Sequence, residues 1–241
     1  MTKRIRLGVL TPSSNTALEP LTQALVAEFP EVSVHFSRFR VTEIALSDNA
    51  LGQFQHEPVI EAARLLADAK VDIIGWSGTS AGWLGFDTDV ELCAAILKAT
   101  GIPATTSVLA LNRALALWQV RRLGLVTPYL AEVQARIIAN YAQLGIDAAH
   151  ESHLALQDNF SFAGVDESTL EKQIATVVAS GAQAVTTFCT NLNAARGIAR
   201  WEQRFGVPVF DTVVTVVWDM LQAAGVDTRR ATGWGRLMAE G

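Results

Sequence analysis

The sequence predicts an α/β protein of two pseudo-symmetric halves, each a parallel sheet with covering helices, facing each other across an active-site cleft. Three observations lead to that prediction. "RLGVLTP" at 6–12 returns as "RLGLVTP" at 122–128, about half the chain later. "AKVDIIGWSGTS" at 69–80 is matched in order by "GAQAVTTFCTN" at 181–191, and each leads through a helical stretch to a Gly-x-Pro turn, "GIP" at 101–103 and "GVP" at 206–208. Between these phrases, near-continuous runs of Val, Ile and Leu alternate with helix-period segments, the pattern of parallel strands buried on both faces.

Strands are expected at 5–10, 32–39, 71–76 and 103–106 in the first half. In the second they fall at 122–126, 147–154, 182–188 and 207–210. The runs before "SGTS" and "CTN" are apolar and end in small polar residues, where the chain must turn. Helical periodicity fits 58–69, 88–99, 107–118, 130–144, 167–179, 192–204 and 212–224, with a further helix opening at "ALEPLTQAL". The division expected is residues 1–114 and 115–211, with the carboxyl-terminal stretch 212–241 packing back on the first half.

Composition bounds the function. The chain has 241 residues, 50% hydrophobic and 18% charged, with net charge −5. Such a chain can bury a real core, and it carries no basic field or Lys/Arg run for nucleic acid. No apolar run reaches membrane-spanning length, and the opening run after "MTKR" is too short for a signal sequence, so a cytoplasmic protein is expected. Neither metal-ligand spacing nor a "GxGxxG" or Walker-type loop occurs, so no cofactor or metal is expected. Oligomeric state is not encoded legibly, although the apolar composition is compatible with a homo-oligomer.

Ligands of open α/β sheets bind beyond the carboxyl ends of the strands. Four loops therefore carry the chemistry. In "TPSSNT" (11–16), Thr16 and Glu19 fit a capping box, with Pro20 in the first turn. The alternative is that Ser14, Asn15 and free N–H groups at the helix start hold an anion. In "GWSGTSAGW" (75–83), Gly78 ends a strand that could have carried a larger residue, and Thr79 and Ser80 add hydroxyls. The loop reads as a helix cap or as an oxyanion site. In "TPYL" (127–130), Tyr129 falls at a helix start, as a buried phenol or as a donor to developing charge. In "FCTN" (188–191), Cys189 is core filler or a thiol whose pKa a following helix would lower, with Thr190 beside it. Cys93 lies mid-helix on an apolar stripe and reads as inert core. "DNFSFAGVDEST" (158–169) fits a closing loop or an ordinary connection.

Taken together, these loops resemble the Asp/Glu racemase superfamily, in the branch of maleate cis-trans isomerases and arylmalonate decarboxylases. "GVLTPSSNTALEP", "TPY" and "QDN" (157–159) are similar to isomerase segments. "GTS" at 78–80, the Tyr129 segment, Cys189 and "GWGRL" at 233–237 resemble the decarboxylase. The resemblance implies two Rossmann-like domains around a closed cleft, no cofactor and a small carboxylate substrate. It also implies, for racemases and isomerases, two cysteines on opposite faces of the substrate. Here the second-half cysteine is Cys189, but its first-half counterpart is Gly78. Glycine supplies neither acid, base nor nucleophile, so the two-thiol mechanisms are not expected.

The expected function is then decarboxylation of a substituted malonate or similar small dicarboxylate. Thr79, Ser80 and Tyr129 would hold the enediolate, with backbone N–H groups near Gly78 and Thr190, and Cys189 would protonate it. The alternative is an isomerase-like proton transfer on a C4 dicarboxylate, with Asn15 and Asn159 on the second carboxylate. A third reading is a carboxylate-binding protein without catalysis. Trp76, Trp83, Phe160 and Trp218 are the candidates for the walls of the side-chain pocket.

Overall fold

The computed structural model describes residues 4–47, 52–54 and 56–241. Its strands form two separate four-stranded sheets, all parallel. The first contains β1 (Ile5–Pro12), β2 (Val32–Phe39), β3 (Ile73–Trp76) and β4 (Ala104–Thr106), in the order β2-β1-β3-β4. The second contains β5 (Arg122–Thr127), β6 (Asp147–His153), β7 (Ala184–Thr187) and β8 (Val209–Asp211), in the equivalent order β6-β5-β7-β8. The repeated sequence phrases thus occupy matching strands, β1 with β5 and β3 with β7. The central strands are buried along nearly their whole length, as parallel strands covered on both faces must be.

The helices are α1 (Leu18–Val26), α2 (His56–Asp68), α3 (Ala81–Leu84), α4 (Asp87–Thr100), α5 (Ser107–Leu117), α6 (Ala131–Gln143), α7 (Glu167–Ala179), α8 (Ile198–Phe205), α9 (Thr212–Ala223) and α10 (Arg236–Glu240). The two Gly-x-Pro turns do the same job in each half. Gly101 closes α4 at φ 72° and Gly206 closes α8 at φ 73°, left-handed positions that stop the helix before the next strand. Helix α9 is buried almost throughout and lies against α5: Thr215 Oγ1 donates to Ser107 O at 3.0 Å, and Val216 and Met220 reach Gly75 on β3. Asp211 caps it, accepting from Val213 N at 2.9 Å and Val214 N at 3.3 Å.

Three expectations change. The helix foreseen at 192–204 begins only at Ile198, after a 3-10 turn at Ala195–Gly197. Residues 190–193 cannot start it because their side chains are committed elsewhere: Thr190 to Ser77 O, Asn191 to α1 and Asn159 O, Asn193 to Ala163 O. The capping box at α1 does not form either. Ala17 is the cap residue, and Asn15 Oδ1 accepts from Ala17 N and Leu18 N at 3.0 and 2.9 Å, while Glu19 pairs with Arg38. Finally, "DNFSFAGVDEST" contains a 3-10 helix, Asn159–Gly164, capped by the Asp158 side chain and tied to the first half through a bridge between Glu43 and Asp158. No helix among the described residues is long and apolar enough to cross a membrane.

Candidate active site

The carboxyl ends of β1, β3, β5 and β7 point toward one another, so the loops that follow them meet between the sheets. There they line a small cavity of about 20 Å3. The β3–α3 loop contributes Gly78, Thr79 and Ser80; the β5–α6 loop contributes Tyr129; the turn after β7 contributes Cys189 and Thr190; the 3-10 helix contributes Asn159. Apolar walls come from Trp76, Trp83, Val41, Ile44 and Phe54. Among the described residues, none that lines the cavity carries a charged side chain. Any carboxylate bound here is met by neutral donors.

Those donors are arranged in one direction. Thr79 Oγ1 and Tyr129 OH are 2.7 Å apart, and the Tyr129 hydroxyl also reaches the Cys189 thiol. Tyr129 lies just ahead of α6 rather than in its first turn, and the ring is fixed edge-on against Trp83 and Phe162. The N–H groups of Gly78, Thr79 and Ser80 donate to no acceptor among the described residues, nor does that of Thr190. Unpaired backbone donors are rare in buried loops and mark places where an acceptor is to be held.

Cys189 departs from expectation. With no helix starting behind it, burial dominates and pushes its pKa up to about 12; the Tyr129 hydroxyl and the N–H groups of Asn191 and Leu192 only partly oppose this. The thiol is therefore protonated throughout the neutral range. Burial likewise pushes Tyr129 well above its ordinary value, so the phenol is a donor. Cys93, on α4, lies outside the cavity and is also pushed up to about 12, by burial first and the Asp89 carboxyl second.

Gly78 is glycine for a reason of packing. The Trp76 indole lies across its Cα, and a Cβ there would stand 2.1 Å from Trp76 Cζ2 and 2.4 Å from Cε2. The space beside Gly78, which shares the cavity with Cys189, is filled by an aromatic ring. Trp76 and Trp83 line the cavity, whereas Phe160 is 63% exposed and Trp218 is buried away from it.

Ser14 and Asn15 do not line the cavity; they stand behind its wall. Ser14 Oγ donates to Val41 O at 2.6 Å and accepts from Asn159 Nδ2 at 2.8 Å. Asn15 Nδ2 donates to Thr190 Oγ1, which donates on to Ser77 O, each at 3.2 Å. The α1 N–H groups that were candidates for an anion are already taken by Asn15 and by Asn191, whose Oδ1 accepts from Thr16 N and Ala17 N at 2.9 and 3.1 Å. Asn191 escaped notice in the sequence, as did Val41, Ile44 and Phe54. The last three follow β2, and the rule that strand ends carry the site applies to that strand too. Among the described residues no group of three or more His, Cys, Asp or Glu side chains is placed to hold a metal.

The profile of the arylmalonate decarboxylase family matches residues 10–238 of this chain. The arylmalonate decarboxylase of Bordetella bronchiseptica is 29% identical over 187 residues, covering 76% of this chain and 78% of that protein. A maleate isomerase of Pseudomonas putida is 26% identical over 241 residues, covering 94% of each. Among solved structures, the maleate isomerase of Pseudomonas putida S16 with maleate superposes with a TM-score of 0.88 at 24% identity over 98% of both chains.

Proposed function

Because the chain belongs to the arylmalonate decarboxylase family, we propose that it is a cofactor-free decarboxylase of a substituted malonate or similar small dicarboxylate. One observation carries the reading: a single protonated thiol faces a position that an indole ring closes to any second one. When the C–C bond to one carboxylate breaks, CO2 leaves and the electron pair passes into the remaining carboxylate, making an enediolate. Its oxygens accept from Thr79, Ser80, Tyr129 and the N–H groups of residues 78–80, donors already in place before charge develops. The leaving carboxylate lies against Trp76, Trp83 and Ile44, where an ion is poorly solvated. Cys189 then gives its proton to the α-carbon from one face, yielding one enantiomer, and regains it from water. A thiol held near 12 suits this role, since a donor must be protonated when the carbanion forms.

A second reading, isomerisation of a C4 dicarboxylate, is supported by the end-to-end similarity to the Pseudomonas putida maleate isomerase and by Asn159 in the cavity wall. It requires Cys189 to act as thiolate, against the burial that favours its neutral form. Proton NMR in D2O with phenylmalonate, methylmalonate and maleate separates the two. Loss of CO2 with deuterium delivered to one face, abolished in Cys189→Ala, supports the decarboxylase. Conversion of maleate to fumarate overturns it. Unchanged affinity in Cys189→Ala with no proton exchange in either protein would mean carboxylate binding alone.

A further inference from the structure

We infer that a second pocket, abutting the reaction cavity and floored by Asp89, receives a hydrogen-bond-donating substituent of the substrate, a hydroxyl or a primary ammonium. The inference rests on the decarboxylase reading for the identity of the substrate. The pocket is small, about 20 Å3, room for one group the size of a water molecule, and shares Phe54, Trp76 and Ser80 with the reaction cavity. Most of its remaining wall is apolar, with His56 exposed at its outer side. An all-apolar pocket would suit a plain alkyl or aryl group; Asp89 breaks that pattern.

Asp89 is 2% exposed, in the first turn of α4. Its Oδ2 accepts from the Thr106 hydroxyl, which in turn caps α5 by accepting from Leu109 N at 3.0 Å. That contact accounts for one oxygen. The other, Oδ1, meets no donor among the described residues. The nearby hydroxyl of Thr88 is already spent on Gly85 O at 2.7 Å. Oδ1 is not among the fully enclosed unpaired atoms, so it keeps access to the pocket, where a donor can meet it. Burial, opposed only by the Thr106 contact, raises its pKa to about 7, as expected of an acid without a facing cation. A donor entering beside Ser80 would satisfy the free oxygen while the malonate head stays among Thr79, Tyr129 and Cys189.

The test is a set of matched phenylmalonates, meta- and para-substituted with methyl against hydroxyl and with ethyl against aminomethyl. The wild-type protein, Asp89→Asn and Asp89→Leu are compared at pH 8, each first shown to be folded by circular dichroism. Within each pair, the donor-bearing substrate is expected to lead by at least tenfold in kcat/KM. Asp89→Leu should reverse that order. Asp89→Asn should lose the aminomethyl preference and keep the hydroxyl one, and this milder variant carries the test if the leucine protein does not fold. Equal values within the wild-type pairs, or a preference untouched by both variants, would overturn the inference. If no malonate loses CO2, the same pairs are titrated by quenching of tryptophan fluorescence, since Trp76 lines both cavities. A tenfold binding preference that depends on Asp89 would then keep the pocket while the decarboxylase reading fails; equal binding would sink the pocket.

Discussion

Substituting Gly78 by alanine should destabilise the protein through one collision. The new Cβ would stand 2.1, 2.4 and 2.6 Å from three atoms of the Trp76 indole, where carbon atoms rest at about 3.5–4.0 Å. The ring must retreat by more than an ångström, yet it is 2% exposed and packed against Phe39 at a centroid separation of 4.9 Å. Forced overpacking of this kind costs about 1–3 kcal/mol. At about 2–4 °C per kcal/mol for a chain of this size, melting should fall by roughly 2–12 °C. A thermal melt measures it, and a double-mutant cycle assigns the cause. In a Trp76→Leu background the same Gly78→Ala change should cost less than about 0.5 kcal/mol. An unchanged melting temperature for the single variant, or an equal loss in the leucine background, would refute the argument. The same Cβ comes with cysteine, so a second thiol at this position should give racemising activity on the decarboxylation product only when Trp76 is also made smaller.

Four further outcomes are expected. Cys189→Ala should lower turnover by a factor of about a thousand or more with little loss of fold. In the wild-type protein Cys189, with its pKa pushed up to about 12, should resist iodoacetamide between pH 7 and 10; alkylation at the rate of a free thiol would contradict its assignment as a neutral donor. Asn191→Ala removes the acceptor of Thr16 N, one of the two acceptors of Ala17 N and the contact to Asn159 O, and should cost about 1–3 kcal/mol in denaturant unfolding. Asp89 titrates near 7 folded against 3.8 unfolded, so its neutral form stabilises the fold. That contribution, about 4 kcal/mol at most, is full below pH 4 and fades as pH rises to 7. Asp89→Asn, with Cys93 and Tyr141 still its neutral neighbours, should flatten the loss of melting temperature across that window.

The repeated phrases made the fold readable, because a buried parallel strand and its turn residues are local statements. The matched Gly101 and Gly206 terminators are legible for the same reason. Loop chemistry was less so. Cys189, Thr79, Ser80, Tyr129, Thr190 and Asn159 share a cavity as their strand ends suggest, but the electrostatic sense of Cys189 came out opposite. Its pKa depends on whether a helix begins at once, and that depends on where Asn191 and Asn193 spend their amides, tens of residues away. Ser14 and Asn15 look like ligands in a polar string, yet distant partners make them masonry. Gly78 shows the same limit: an absent side chain says nothing in the sequence about which ring fills its place.

The asparagines that lace the halves have a consequence for motion. Helix α1 belongs to the first sheet, but part of its amino-terminal cap is supplied by Asn191 from the second. Prising the sheets apart therefore frees Thr16 N while Asn15 keeps Ala17 N and Leu18 N, so opening loosens the entry to α1 and leaves the helix capped. The amide hydrogen of Thr16 should exchange with solvent only as fast as the sheets separate. One backbone amide outside the cavity thus serves as a clock for how often the halves part.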